Sequence, residues 1–205
     1  MQNMPSQQIQ ELISAESRAI LGIPVTNPFQ NAVDLIHQSV HGRQGKLIAT
    51  GMGKAGQIAL NIATTFSSTG TPAIFIHAAE AQHGDLGIIQ PNDALLIVSN
   101  SGKTKEVLDL LVLTSKLFGE KLPLIIITGH PEGILAEKAD VVLLTGNPPE
   151  ICPLGLTPTT STTAMTVIGD ILVVMMMLRI GFTREEYAKR HHGGYLGHKS
   201  KTGEP

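Results

Sequence analysis

Apolar positions along this chain follow two alternating patterns. Short, predominantly apolar runs occur at 46–50, 73–76, 95–98, 124–128 and 141–144, the first flanked by Lys46 and Thr50. Runs of this length, bounded by turn residues, predict strands buried on both faces. Between them, apolar residues recur at three- and four-residue spacing, which predicts helices with one buried stripe. Ile9, Leu12, Ile13 and Ile20 mark such a helix over 5–21. Phe29, Ala32, Val33, Ile36 and Val40 mark a second, opened by Asn27 as N-cap and Pro28 as first helical residue. Ile58, Ile62, Ala63 and Phe66 give a third. A fourth begins at Val107 and runs through Leu108, Leu111, Val112 and Leu117. Short helices are expected at 132–138 and 183–189, and a long one from Ala164 to Leu178. The long one is apolar nearly all round, so it belongs against the sheet or between subunits. Its unbroken apolar stretch, Ile171–Leu178, is too short to span a bilayer. Strands alternating with helices imply right-handed crossovers and one parallel sheet. The fold class expected is therefore α/β, a three-layer sandwich with a five-stranded parallel sheet flanked by helices.

Composition narrows the partners. Fifteen basic residues stand against 17 acidic ones without a basic block, which argues against nucleic acid. The 3% aromatic content offers few platforms for stacking bases. Cys152 is the single cysteine, so no internal disulfide forms, in keeping with a reducing, cytoplasmic setting. No basic segment followed by an apolar run opens the chain, so no signal peptide and no membrane association are expected.

The polar chemistry collects just after the strands. The stretch Ala94–Glu106 reads as strand, turn, helix, and its turn is Ser99-Asn100-Ser101-Gly102-Lys103-Thr104. Hydroxyls, free amides and the positive end of a helix dipole suit a phosphate there. The alternative is an ordinary turn capped by Thr104. Gly102-Lys103-Thr104 imitates a nucleotide-binding P-loop, but Ile97 stands where that motif needs glycine. Gly51-Met52-Gly53-Lys54-Ala55-Gly56 matches the dinucleotide fingerprint, yet no acid ends the following strand to hold a ribose. The glycines therefore read as letting backbone amides approach an anion, with Lys54 adding charge. Glu80–Gly87 forms a further polar cluster where α/β sheets bind ligands. His37 and His41 have metal-ligand spacing but no third ligand nearby, so no metal is expected.

Taken in order, Gly51–Gly56, His83-Gly84-Asp85-Leu86-Gly87, Ser99-Asn100-Ser101-Gly102, Cys152-Pro153-Leu154-Gly155-Leu156 and His191-His192-Gly193-Gly194 closely resemble the sugar isomerase (SIS) domain of bacterial D-arabinose-5-phosphate isomerases. The resemblance covers about Leu47 to Gly197. It implies a flavodoxin-like or Rossmann-like sheet and interconversion of D-ribulose 5-phosphate and D-arabinose 5-phosphate in Kdo and lipopolysaccharide biosynthesis. It also implies a homotetramer with a phosphorylated pentose as substrate and no cofactor. Lys54, Glu106, Glu150 and His191 match the family's proposed catalytic group, and His83 a further site histidine. Ser99, Ser101 and Thr104 match the phosphate turn, with Gly51, Gly53 and Asn100 beside it. Ala55 replaces the usual serine, Lys103 and Lys105 replace neutral or acidic residues, and His192 replaces proline. The resemblance divides the chain into N-terminal helices over 1–45, packing on the core or a neighbouring subunit, an SIS domain over 46–198 and a tail over 199–205. No CBS domains are expected after it.

Isomerisation of this kind proceeds through a cis-enediol. A held phosphate fixes the reacting carbons, which is a large part of the barrier reduction. Glu150 is the first choice for moving the proton between C1 and C2, with partial burial expected to raise its pKa, and His191 is the second. His191 or His83 assists ring opening, and Lys54 stabilises the enediolate or binds phosphate. Glu106 equally suits a purely structural place in a helix's first turn, and Cys152 reads as structural. Three other readings compete: a catalytically silent sugar-phosphate or nucleotide-sugar sensor, another phosphosugar isomerase such as a hexulose 6-phosphate one, and, more distantly, a Rossmann dehydrogenase.

Overall fold

The computed structural model describes residues 5–193 and 195; Gly194 of the last motif, the end of the resembling stretch at 196–197 and the 199–205 tail lie outside the described residues. Five strands, β1 (Leu47–Gly51), β2 (Ala73–Phe75), β3 (Ala94–Val98), β4 (Leu124–Thr128) and β5 (Val141–Leu144), form one parallel sheet in the order β2-β1-β3-β4-β5. The three inner strands are buried at every position, as strands covered on both faces must be. From β1 the chain steps outward to β2, then crosses back to build β3, β4 and β5 on the other side. The reversal puts the end of β1 beside the end of β3, with Gly51 opposite Val98. A crevice opens at such a switch point, at the carboxyl ends of the strands.

Alternating strand positions feed two cores. Leu47, Ala49, Leu96 and Ile125 pack under α2 (Phe29–His37), α3 (Gly53–Ser68) and α6 (Thr160–Arg179). Ile48, Leu95, Ile97 and Ile126 pack under α4 (Lys105–Phe118), α5 (Ile134–Lys138) and the 3₁₀ turns Glu80–His83 and Asp85–Ile88. α1 (Ser6–Leu21) lies on α6. Gly169 lets α3 and α6 touch, since a Cβ there would stand 2.4 Å from Ile62 Cγ1.

Three expectations change. Asn27 does not cap α2, which starts after Pro28. Its carboxamide instead donates to the Leu144 carbonyl (2.8 Å) and accepts from the Leu144 N–H (2.9 Å), closing the end of β5 as a neighbouring strand would. α4 starts at Lys105, two residues before its apolar run, because a helix's first turn needs no buried side chain. α6 starts at Thr160, four residues before the expected Ala164, and is long and apolar enough by length and composition to cross a membrane. In this fold it packs one face against α3 and the sheet while Val174 and Leu178 stay exposed. The buried Thr160 hydroxyl donates to the Pro149 carbonyl (2.8 Å), whereas Thr166 Oγ1, further along, folds back on the Thr162 carbonyl (2.9 Å).

The direction of α6 fixes where α7 (Arg184–Arg190) lies. It begins beside Pro149 and Glu150, past the carboxyl end of β5. Twenty residues of helix cover about 30 Å. The far end lies at the amino edge of the sheet, where Phe182 packs on Gly70 just ahead of β2. α7, capped by the Thr183 hydroxyl, follows there.

Candidate active site

Two turns meet at the switch point. After β1, Gly51 and Gly56 let strand and helix approach: a Cβ on Gly51 would lie 2.7 Å from the Val98 carbonyl, and one on Gly56 2.8 Å from the Gly51 carbonyl. Gly53 adopts φ +55° with open space around it. The glycine fingerprint is thus divided, with two residues serving backbone packing and one the turn. Lys54, in the first turn of α3, is exposed.

After β3, the Ser99 N–H continues the sheet by donating to the Ile127 carbonyl (3.0 Å). The buried Ser99 hydroxyl lies 2.8 Å from Thr104 Oγ1. Thr104 occupies the N-cap position but makes no side-chain bond to α4. The ordinary capped turn is therefore not what forms, and the first-turn amides keep their capacity for a ligand. Ser101 is exposed and accepts weakly from the Lys103 N–H (3.3 Å). Gly102, at φ +63°, bends the turn against Gly133. Glu106 is half-buried in the first turn of α4, close to the same amides.

Around Asn100, which the sequence had placed beside the phosphate turn, the next two strand ends add Asn147 and His130, which it did not single out as site residues. Asn100 Oδ1 is buried without a hydrogen-bond partner. A Cβ on Gly129 would lie 2.7 Å from it and 3.0 Å from Asn147 Oδ1, so both amides close over that glycine. Asn147 is exposed, has φ +49°, and donates its N–H to Thr145 Oγ1 (3.2 Å). Its signal in the sequence was Asn followed by Pro after a strand, the mark of a turn. His130, past β4, has Nδ1 2.9 Å from Glu132 Oε1.

Glu150 carries the largest surprise. Its Oε2 accepts from the Thr159 N–H (2.6 Å), the Thr159 hydroxyl (2.8 Å), the Thr160 hydroxyl (3.2 Å) and the Ser161 N–H (3.5 Å). It thereby caps the N-terminus of α6. Burial pushes its pKa up, but hydrogen bonds from Ser161 and Thr159 outweigh that and hold it below the ordinary 4.5. The expected rise is thus reversed, because the nearby hydroxyls and amides favour the charged form. Those donors belong to the hydroxyl-rich run 157–163, and only the tertiary fold brings it to Glu150.

His83 sits exposed on the 3₁₀ turn after β2, at the carboxyl edge of the sheet. His191 does not join it. It closes α7 at the opposite edge, its ring stacked 3.7 Å from that of Tyr187 with Nδ1 3.0 Å from the Tyr187 carbonyl. Cys152 Sγ accepts from the Leu156 (3.2 Å) and Thr157 (3.1 Å) N–H groups. These bonds, the Thr157 amide foremost, lower its pKa to about 7. His37 and His41 stack at 5.4 Å, and His41 Nε2 lies 3.1 Å from Thr71 Oγ1. Among the described residues no three metal-ligating side chains come together.

Comparison with known proteins gives this geometry a context. The SIS domain model matches residues 43–175. The arabinose 5-phosphate isomerase KdsD of Yersinia pestis is 44% identical over 187 residues, covering 91% of this chain and 55% of that protein. The chain therefore spans about half the length of the curated relatives it matches. A candidate phosphosugar isomerase involved in capsule formation from Bacteroides fragilis, known from its crystal structure, is 60% identical with a TM-score of 0.89, covering 92% of this chain and 98% of that one. An Escherichia coli CFT073 protein solved in complex with A5P is 33% identical with a TM-score of 0.78, covering 92% and 100%.

Proposed function

This chain belongs to the SIS domain family, and on that premise we propose that it interconverts D-ribulose 5-phosphate and D-arabinose 5-phosphate, feeding Kdo biosynthesis. The observation that carries this reading is the turn after β3. Its helix N-terminus lacks a side-chain cap, its hydroxyls are gathered, and it stands at the switch point beside Gly51–Lys54. That is a seat for a sugar's phosphate.

With the phosphate on Ser99, Ser101, Thr104 and the α4 amides, the reacting carbons are held among the strand ends. The aldose gives up its C2 proton, the cis-enediol forms, and a proton returns at C1 as the carbonyl moves to C2. Glu150 is the proton carrier in this proposal. Its lowered pKa keeps it ionised at neutral pH, at some cost in basicity. Lys54 faces the developing negative oxygen, and Glu106 and His83 complete the polar rim. His191, at the other sheet edge, takes part only when a neighbouring copy delivers it, which accords with a homotetramer. We further propose a cytoplasmic protein acting without metal, organic cofactor, nucleic acid or membrane.

The test is incubation with D-arabinose 5-phosphate in heavy water. Formation of D-ribulose 5-phosphate with deuterium entering at the exchanged carbon is expected. Tight binding without exchange would identify a sensor instead, and faster turnover of hexose phosphates would move the assignment to another isomerase.

A further inference from the structure

We infer that Asn147 is a specificity-determining residue that presents its carboxamide to the hydroxyls of the bound sugar, with Asn100 positioning it from behind. The inference rests on the phosphosugar reading above and adds a residue to it. Four observations converge. Asn100 directly follows the first serine of the phosphate turn, and its Oδ1 is enclosed without a donor. Buried acceptors in that condition are rare and call for a donor from a neighbouring side chain, a water or a bound molecule. Gly129 has no side chain to fill the space into which the Asn100 and Asn147 oxygens both reach, at 2.7 and 3.0 Å from the position a Cβ would take. The left-handed turn at Asn147, braced by its N–H on Thr145 Oγ1, swings the amide back over the strand ends rather than out along the 146–150 loop. Finally, Asn147 is exposed while Asn100 Oδ1 is not, so a ligand meets Asn147 first.

The chemistry follows from the donor and acceptor inventory of an amide. Turning the Asn147 amide about its terminal bond directs its NH2 toward the Asn100 oxygen and leaves Oδ1 to accept from a hydroxyl. A sugar phosphate seated on residues 99–104 runs its carbon chain past these strand ends toward Glu150. Asn147 reaches the same space over Gly129 as Asn100 of the phosphate turn and precedes Glu150 by three residues in the chain. An oriented acceptor there distinguishes sugars that place a hydroxyl toward it from epimers that do not.

The variant Asn147→Gly isolates the amide, because glycine takes the positive φ without strain. KM, kcat and calorimetric Kd are measured for D-arabinose 5-phosphate and D-ribose 5-phosphate, with the inhibition constant of inorganic phosphate and a thermal melt as controls. Loss of about tenfold in affinity for the preferred sugar is expected, with a matching fall in the preference between epimers and an unchanged phosphate constant. Unchanged discrimination in a folded variant overturns the inference, as does an equal loss of phosphate affinity, which marks a purely structural role. If the wild type binds pentose phosphates without turning them over, the isomerase reading fails while the Kd values still decide this one. If the wild type binds no pentose phosphate, both fall.

Discussion

Replacing Glu150 by glutamine separates two roles the structure gives one carboxylate. The side chain keeps its length and one acceptor oxygen, so the Thr159, Thr160 and Ser161 donors still find a partner. What is lost is the charge. Charge-assisted hydrogen bonds are roughly twice as strong as neutral ones, and a carboxylate at a helix N-terminus adds about 0.3–1 kcal/mol. Together these put the cost at about 1–2 kcal/mol. For a chain of this size each kcal/mol moves Tm by about 2–4 °C, so a drop of roughly 2–8 °C is expected. The pH dependence has a definite sign. The folded pKa lies below the ordinary 4.5, so the contribution of Glu150 is fully present above pH 4.5 and is lost as pH falls through the lowered folded value. Glu150→Gln therefore flattens that part of the acid limb. As proton carrier, Glu150 should also account for about 10²–10⁴ in kcat. The assays are calorimetric melts from pH 3 to 7 and solvent-proton exchange with D-arabinose 5-phosphate. A variant that melts lower yet turns over within a few-fold of wild type removes Glu150 from the chemistry. One with unchanged Tm at pH 7 refutes the capping argument.

Ser101→Ala removes an exposed hydroxyl from the phosphate turn, so KM should rise several-fold with kcat little changed; steady-state kinetics check this, and an unaltered KM contradicts the assignment. Gly51→Ala forces a Cβ to 2.7 Å from the Val98 carbonyl and 3.0 Å from the Ala55 backbone, where no flexible side chain can yield. Urea unfolding should show at least about 1–3 kcal/mol of lost stability, and a wild-type midpoint would show that the β1–α3 junction is looser than described. Cys152 alkylation by iodoacetamide should rise with pH about a midpoint near 7, because backbone N–H groups hold its thiolate; a midpoint near 9 would mean those bonds do not persist in solution.

The strands were legible because each is a predominantly apolar run closed by a polar turn, and the turn at 99–104 announced its hydroxyls without help. Local pattern also determined that helices and strands alternate, and alternation leaves little choice but a parallel sheet. Three things were decided only by tertiary structure. Asn27 looked like a helix cap because capping is a local rule, yet its amide found a better partner at Leu144, 117 residues away. The pKa of Glu150 went down rather than up, since its shift depends on donors nine to eleven residues on that meet it only when α6 docks. His191 went to the far edge of the sheet because α6 carries the chain there, and no spacing in the sequence encodes the direction of a packed helix. Periodicity reports which face of an element is buried; it does not say which other face it will be buried against.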